Sequence, residues 1–292
     1  IFGASQPQLF MWMKQYYPGL YAKIKAAVKA GRIEPQGAAW VECDTNIPCG
    51  ESLIRQMLYG KRFFAEEFGL DIKNLWLPDV FGYSAAIPGI LKGCGIDTFM
   101  TQKLSWSKVD VYPHHSFVWQ GIGDDRILAH LLPEDNYNSP ATPRSIKFAE
   151  KNYKDKDVSS HALILFGIGN GGGGPGMEHL ERLKRIKNLA GISQVKQESA
   201  ENFFEKWRKE ASRFCKWIGE LYVERHQGTL TTHGNMKRYN RLAEIALHDL
   251  ELTGILAGKN WPQEKLEKIW KEILMYQFHD ILPGSSIKRV YQ

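Results

Sequence analysis

The sequence predicts an α/β fold with a parallel sheet, followed by a smaller helical unit. Three observations carry this reading. Short apolar runs alternate with amphipathic stretches between Tyr16 and Lys92, and strand followed by helix, repeated, places successive strands parallel. Beyond about Asn202 only helical periodicity remains, which sets a division at residues 1–200 and 201–292. The 292 residues are 43% hydrophobic, 12% aromatic and 24% charged, the balance of a soluble globular chain.

From Tyr16 to Ala30, Leu20, Ile24, Ala27 and Val28 recur at helical spacing and Gly31 ends the pattern. A strand is expected over Ala38 to Val41, then a Pro/Cys/Gly loop and a helix from Glu51 to Phe68. Leu75-Trp-Leu77 reads as a short strand, the turn Pro-Asp-Val-Phe-Gly follows, and a helix runs from Ser84 to about Lys92. Strands are predicted near Thr98 to Met100, Ser116 to Trp119 and Ile127 to Leu132. Pro133 to Asp157 has no clear period and reads as a long loop holding a helix near Ile146 to Tyr153. Ala162 to Phe166 is the strongest strand signal, and Met177 to Leu189 is helical. Helices are expected at Asn202 to Trp217, Lys237 to Ala257 and Glu264 to Phe278.

Charge and cysteine usage exclude several classes. Lys and Arg total 38 against 32 Asp and Glu, but the net +6 is interleaved with acids, as along Glu178 to Lys187, so the charge describes solvated helix faces and no nucleic-acid partner is expected. The four cysteines, Cys43, Cys49, Cys94 and Cys215, form no Cys-x-x-Cys pair and no disulfide framework, which fits a reducing compartment. No run approaches the ~18 consecutive apolar residues of a spanning helix, so no membrane partner is expected. There is no fixed-period repeat.

Three segments could carry chemistry. Gly167, Gly169 and Gly172 satisfy G-x-G-x-x-G between an expected strand and helix, the setting of a dinucleotide-dependent oxidoreductase, although Pro175 and four consecutive glycines fit that loop poorly. The 167–175 loop could equally be a plain turn, or one whose backbone approaches a substrate. Asp79 follows a strand within Leu75-Trp-Leu-Pro-Asp-Val-Phe-Gly-Tyr-Ser84, at the sheet edge where α/β proteins build sites; it could cap the next helix, ligate a metal, or act as a glycosidase nucleophile. His279 and Asp280, in Tyr276-Gln-Phe-His-Asp-Ile-Leu-Pro-Gly-Ser-Ser286, could answer the negative end of the last helix or ligate a metal.

Taken together, Trp40-Val-Glu-Cys-Asp-Thr-Asn-Ile-Pro-Cys-Gly-Glu-Ser-Leu-Ile-Arg-Gln56, Trp76-Leu-Pro-Asp-Val-Phe-Gly-Tyr-Ser84, Thr101-Gln-Lys-Leu-Ser-Trp106, Gly219-Glu-Leu-Tyr-Val-Glu-Arg-His226 and Gln277-Phe-His-Asp-Ile-Leu-Pro-Gly-Ser-Ser286 resemble glycoside hydrolase family 38, the class II α-mannosidases, most closely the cytosolic and vacuolar branch. The resemblance runs in order along nearly the whole chain. It implies a parallel seven-stranded β/α barrel, incomplete at its N-terminus, followed by a three-helix bundle. It further implies a metal-dependent retaining α-mannosidase acting on mannose-containing oligosaccharides. By similarity Asp79 is nucleophile and metal ligand, His279 a second ligand, and Lys103, Tyr137 and Asp280 contact the sugar. Zinc is the implied ion, with cobalt an alternative. A retaining enzyme also needs an acid/base carboxyl about 5–5.5 Å from the nucleophile. The branch implies a cytoplasmic or vacuolar location and a homo-oligomeric parent protein.

Two departures stand out. No histidine here begins a His-x-Asp motif, the family's other metal-ligand pair, so the resemblance implies a chain lacking the first strand as well as the later β domains, binding metal weakly in isolation. Asn170 stands where many relatives carry the Asp that is the candidate acid/base, which leaves Asp124, Asp125, Asp135 and Glu178 as alternatives and also allows a non-catalytic mannose-binding relative. Trp40, Trp76, Trp106 and Trp119 are expected mostly in the core.

Overall fold

A computed structural model describes residues 1–170, 173–258 and 262–292. Strands β1 (Phe2–Ala4) and β2 (Ile33–Pro35) pair in parallel, joined by helices α1 (Pro7–Tyr16) and α2 (Pro18–Lys29). Each helix has proline in its first turn, where the missing amide proton loses no bond. Helix α3 (Gly50–Phe68) ends on Gly69 at φ 70°, a left-handed stop that glycine adopts without strain.

The expected strand at 38–41 is buried but forms no ladder. Ala38 N bonds Asn74 O at 2.9 Å, whereas Trp40 N bonds Gln56 O at 2.9 Å and Val41 N bonds the Gln56 side chain at 3.1 Å. Helix α3 thus satisfies this backbone in place of a strand. The close approach requires Gly60, since a Cβ there would stand 1.9 Å from Ala38 O.

The larger sheet has the order β3 (Asn74–Trp76), β4 (Thr98–Thr101), β6 (Arg126–Leu131), β5 (Ser116–Gln120), β7 (Cys215–Ile218). It is mixed, not wholly parallel: β5 runs antiparallel to β6. The link from Gly121 to Asp125 is too short for a crossover, so only a hairpin can form. Both faces are covered, and side chains alternate between two cores. Leu75, Phe99, Ala129, Phe117 and Trp119 enter one, with Trp40, Met57 and Phe64; Trp76, Met100 and Leu132 enter the other, with Phe204 and Trp207.

The predicted helices at 84–92, 146–153 and 177–189 occur as α4 (Ile87–Gly93), α5 (Pro143–Asn152) and α6 (Met177–Ile186). Two other expectations are corrected. The segment 162–166 makes only an isolated bridge, Ser139 to Phe166, because its neighbours are a loop and the His130 ring, whose Nε2 accepts from Leu163 N at 3.2 Å. The expected helix at 202–217 stops early: α7 (Ala200–Arg208) buries Phe203, Phe204 and Trp207, and the chain then pairs with β5 as β7. Helices α8 (Gly234–Leu256) and α9 (Gln263–Tyr276) follow, and Trp270 and Leu274 of α9 join the first core beside α3. The described strands therefore form sheets of two and five in a mixed α/β fold.

Candidate active site

Asp79 lies three residues past β3, in a turn held from two sides. The Tyr83 hydroxyl sits 3.0 Å from both Leu77 O and Val80 O and also contacts Thr101 Oγ1. Tyr83 exchanges backbone bonds with Leu221, and Thr45 Oγ1 donates to Gly82 O at 2.8 Å. A clamped turn of this kind fixes the direction of the carboxylate, which remains 23% exposed toward a cavity of about 590 Å³.

Lys103, two residues past β4, forms an ion pair with Asp79 Oδ1. The ammonium is buried, with the rings of Trp106 and Phe81 4.2 and 5.1 Å from it, so it meets one carboxylate and two aromatic faces. His279, just beyond α9, approaches the other carboxylate oxygen, Nε2 to Oδ2 3.8 Å. Its Nδ1 is 2.7 Å from Glu42 O, and its own backbone N donates to the same carbonyl at 3.2 Å. A carbonyl only accepts, so Nδ1 carries a proton, and Nε2 is the nitrogen turned toward Asp79.

Tyr137 and Asp280 line the same cavity. Burial pushes the Tyr137 phenol up, and the negative charge of Asp79 adds to it, so the hydroxyl stays protonated. Ser285 Oγ donates to Asp280 Oδ1 at 2.6 Å, which fixes that carboxylate. The five residues singled out in the sequence, Asp79, Lys103, Tyr137, His279 and Asp280, are therefore brought around one cavity or the ion pair at its wall.

Two further residues belong to this neighbourhood. Burial, then Asp79, pushes the Glu42 carboxyl up, while His279 and Ser5 pull it back; Ser5 Oγ donates to it at 2.6 Å. Its segment, Trp40-Val-Glu, is part of the motif, but no spacing rule gives it a role. His226, held at φ 70°, packs 4.7 Å from Phe81 and 5.2 Å from Trp106, completing the aromatic wall around Lys103. Among the tryptophans, Trp40 and Trp119 are core, Trp76 lines the cavity and Trp106 covers Lys103.

The candidate acids separate by position. Asp124 and Asp125 lie in the β5–β6 turn, at the amino edge of β6 and so opposite Asp79. Asp135 lines a different cavity, and Glu178 starts α6 outside this one. Asn170 does line it. In the glycine loop, a Cβ on Gly169 would meet Asn138 Oδ1 at 3.0 Å and the Tyr137 ring at 3.2 Å, so the backbone passes close to a site residue. Gly172 of the G-x-G-x-x-G match lies outside the described residues, and no ladder strand precedes the loop.

Asp79 and His279 have the donor chemistry of a small divalent ion, and a proton on Nδ1 leaves Nε2 as the ring nitrogen for a metal, with the partner carbonyl already in place. Among the described residues no group of three His, Cys, Asp or Glu forms such a site, so this chain offers a pair of ligands.

The clamped Asp79 carboxylate thus stands at the carboxyl edge of a mixed α/β sheet, beside Lys103 and His279. The profile of the Glycosyl hydrolases family 38 N-terminal domain matches residues 1–220, and that of the Alpha mannosidase middle domain matches residues 224–292. The chain belongs to glycoside hydrolase family 38. It is 45% identical over 294 residues to alpha-mannosidase G of Dictyostelium discoideum, covering 100% of this chain and 27% of that protein. Against alpha-mannosidase 2C1 of Homo sapiens the identity is 43% over 295 residues, covering 99% and 28%. An alpha-mannosidase structure from Enterococcus faecalis V583 shares the fold at TM-score 0.76 and 19% identity, over 98% of this chain and 34% of that one. The chain spans about a quarter of the length of these curated relatives.

Proposed function

We propose that the complete polypeptide is a metal-dependent retaining α-mannosidase that removes terminal mannose from oligosaccharides. The observation that carries the reading is the arrangement of Asp79 between Lys103 and His279 at the wall of a sugar-sized cavity. One Asp79 oxygen attacks the anomeric carbon as the bond to the leaving oxygen breaks, forming a glycosyl ester; water then displaces the ester, and two inversions give retention. Lys103 pairs with the carboxylate and orients it, and Tyr137 and Asp280 present a donor and an acceptor to the sugar hydroxyls. Asp79 and His279, with ligands from elsewhere in the polypeptide, would hold a zinc or cobalt ion, which would supply positive charge beside the sugar. The leaving oxygen must take a proton from an acid that Asn170 cannot replace.

The same reading extends to a seven-stranded barrel closed by further strands, a three-helix bundle completed around α8 and α9, a homo-oligomer, and a cytoplasmic or vacuolar setting. No described helix is long and apolar enough to cross a membrane.

One observation favours a second reading, mannoside binding without turnover: an amide, Asn170, lines the cavity. Hydrolysis of an aryl α-mannoside by the complete polypeptide, before and after a chelator and again with zinc or cobalt restored, separates the two. Metal-dependent release of the aryl group is expected. Binding of mannose with no release under any metal would overturn the hydrolase reading in favour of the second.

A further inference from the structure

His279 owes its direction to a short backbone pairing. Residues 42–44 and 277–279 run antiparallel around a single bridge, Cys43 to Phe278. Asp44 N donates to Gln277 O at 2.9 Å at one end, and His279 N and Nδ1 both meet Glu42 O at the other. So short a pairing does not fix its own register, and a slip by one residue would turn His279 to the opposite face.

The Gln277 side chain supplies the missing anchor. It is fully buried, and its Nε2 donates to Asn240 Oδ1 at 3.0 Å and to Glu244 Oε1 at 3.2 Å, both on α8. The same Glu244 oxygen accepts from Cys49 N at 2.9 Å and from Ser52 Oγ at 2.7 Å, so it also caps the positive end of α3. Its other oxygen lies 2.7 Å from the Arg241 guanidinium, a charge contact without hydrogen-bond alignment. Glu244 is itself buried and lies outside every segment that marks the site in the sequence. One carboxyl of α8 therefore ties Gln277 to the start of α3. Helix α3 in turn carries Gln56, whose Oε1 accepts from Val41 N, one residue before Glu42. Both sides of the pairing are thus held from the same point.

Resting on the reading of His279 as a metal ligand, we propose that Glu244 is a positioning residue: through Gln277 it sets the register that aims His279 Nε2 at Asp79. A purely structural acid on the same helix offers the contrast. Glu251 reaches Arg55 of α3 at 2.7 and 2.9 Å and Trp270 Nε1 of α9 at 2.8 Å, and its partners among the described residues include neither Gln277 nor residues 42–44.

The test uses the complete polypeptide, loaded with zinc and read by zinc content after dialysis against graded chelator, or loaded with cobalt and read by visible absorption, which reports ligand geometry. Glu244→Met removes the acceptor and should weaken zinc retention about tenfold, the scale of a disturbed outer-shell contact, and shift the cobalt bands. Glu244→Gln keeps an accepting oxygen and should return both readings to near the parent. Glu251→Gln should lower the unfolding temperature of the metal-free protein, with zinc retention within about twofold of the parent and the cobalt bands in place. Gln277→Met, which leaves α3 capped, should reproduce Glu244→Met, and it carries the test if that variant does not fold. Unchanged zinc retention and cobalt bands in folded Glu244→Met or Gln277→Met, or an equal loss in Glu251→Gln, would overturn the positioning role while leaving the metal reading in place. A parent that holds no zinc, or whose zinc is held as tightly in His279→Gln, overturns the metal reading itself.

Discussion

Asp79 Oδ2 and His279 Nε2 stand 3.8 Å apart, although one residue follows the first strand of the main sheet and the other follows the last long helix. Their meeting depends on α9 packing against α3 and on the Glu42 carbonyl, which receives both the ring and the backbone N–H of His279. Replacing His279 by Gln should weaken metal retention at least tenfold, on the scale of disturbed metal-site ligation, and leave thermal unfolding nearly unchanged in metal-free protein. Zinc content after dialysis against graded chelator reads this directly.

Lys103 has a separable role. Lys103→Met keeps the stem against Trp106 but removes the charge that pairs with Asp79. An aryl mannoside kcat lower by about 10²-fold or more is expected, on the scale of lost electrostatic support at a reacting centre, with metal content unchanged. Steady-state rates beside metal analysis would show whether the two effects part.

Asn170→Asp tests the missing acid. The variant places a carboxyl at the cavity wall, and general acid–base catalysis contributes about 10²–10⁴-fold. A rise of that order in hydrolysis, with a new alkaline limb in the pH profile of kcat/KM as the introduced acid loses its proton, locates the acid/base there. An unchanged rate assigns the role to a carboxyl elsewhere in the polypeptide.

Two buried histidines set an acid limit on stability. Burial pushes His115 down to about 4 and His130 down to about 3, from an ordinary value near 6.5. Between those values and 6.5 the unfolded chain binds more protons than the folded one, so stability rises with pH across the window and falls as pH drops through it. Urea midpoints should decline from pH 6.5 toward pH 4, and His130→Gln should flatten the slope even as it lowers the midpoint at neutral pH.

Gly60→Ala should be strongly destabilising despite the better helix propensity of alanine, because the new Cβ would stand 1.9 Å from Ala38 O. Thermal unfolding of the purified variant, or its failure to fold, checks this.

Much of this arrangement is legible along the chain because it is local. Leu75, Phe99 and Ile127 announce their strands by apolar runs, and Asp79 and His279 sit in motifs that carry their neighbours with them. What escapes is decided by distant partners. Residues 38–41 and 162–166 have strand composition, yet one is satisfied by Gln56 and the other by Ser139 and His130. Residues 215–218 are largely exposed, so no apolar alternation marks β7; its pairing with β5 does. The β5–β6 hairpin escapes a parallel expectation although its five-residue link forbids a crossover. Glu42 and His226 enter the site through a main-chain carbonyl and a left-handed turn, neither visible as a residue-type pattern.

The most direct measurement is mass spectrometry of the complete polypeptide quenched during reaction with a fluorinated mannosyl donor whose glycosyl ester hydrolyses slowly. The account predicts a single mannosyl adduct on the peptide carrying Asp79, absent in Asp79→Asn. An adduct on another residue, or turnover that gives inverted mannose with no adduct, would contradict it.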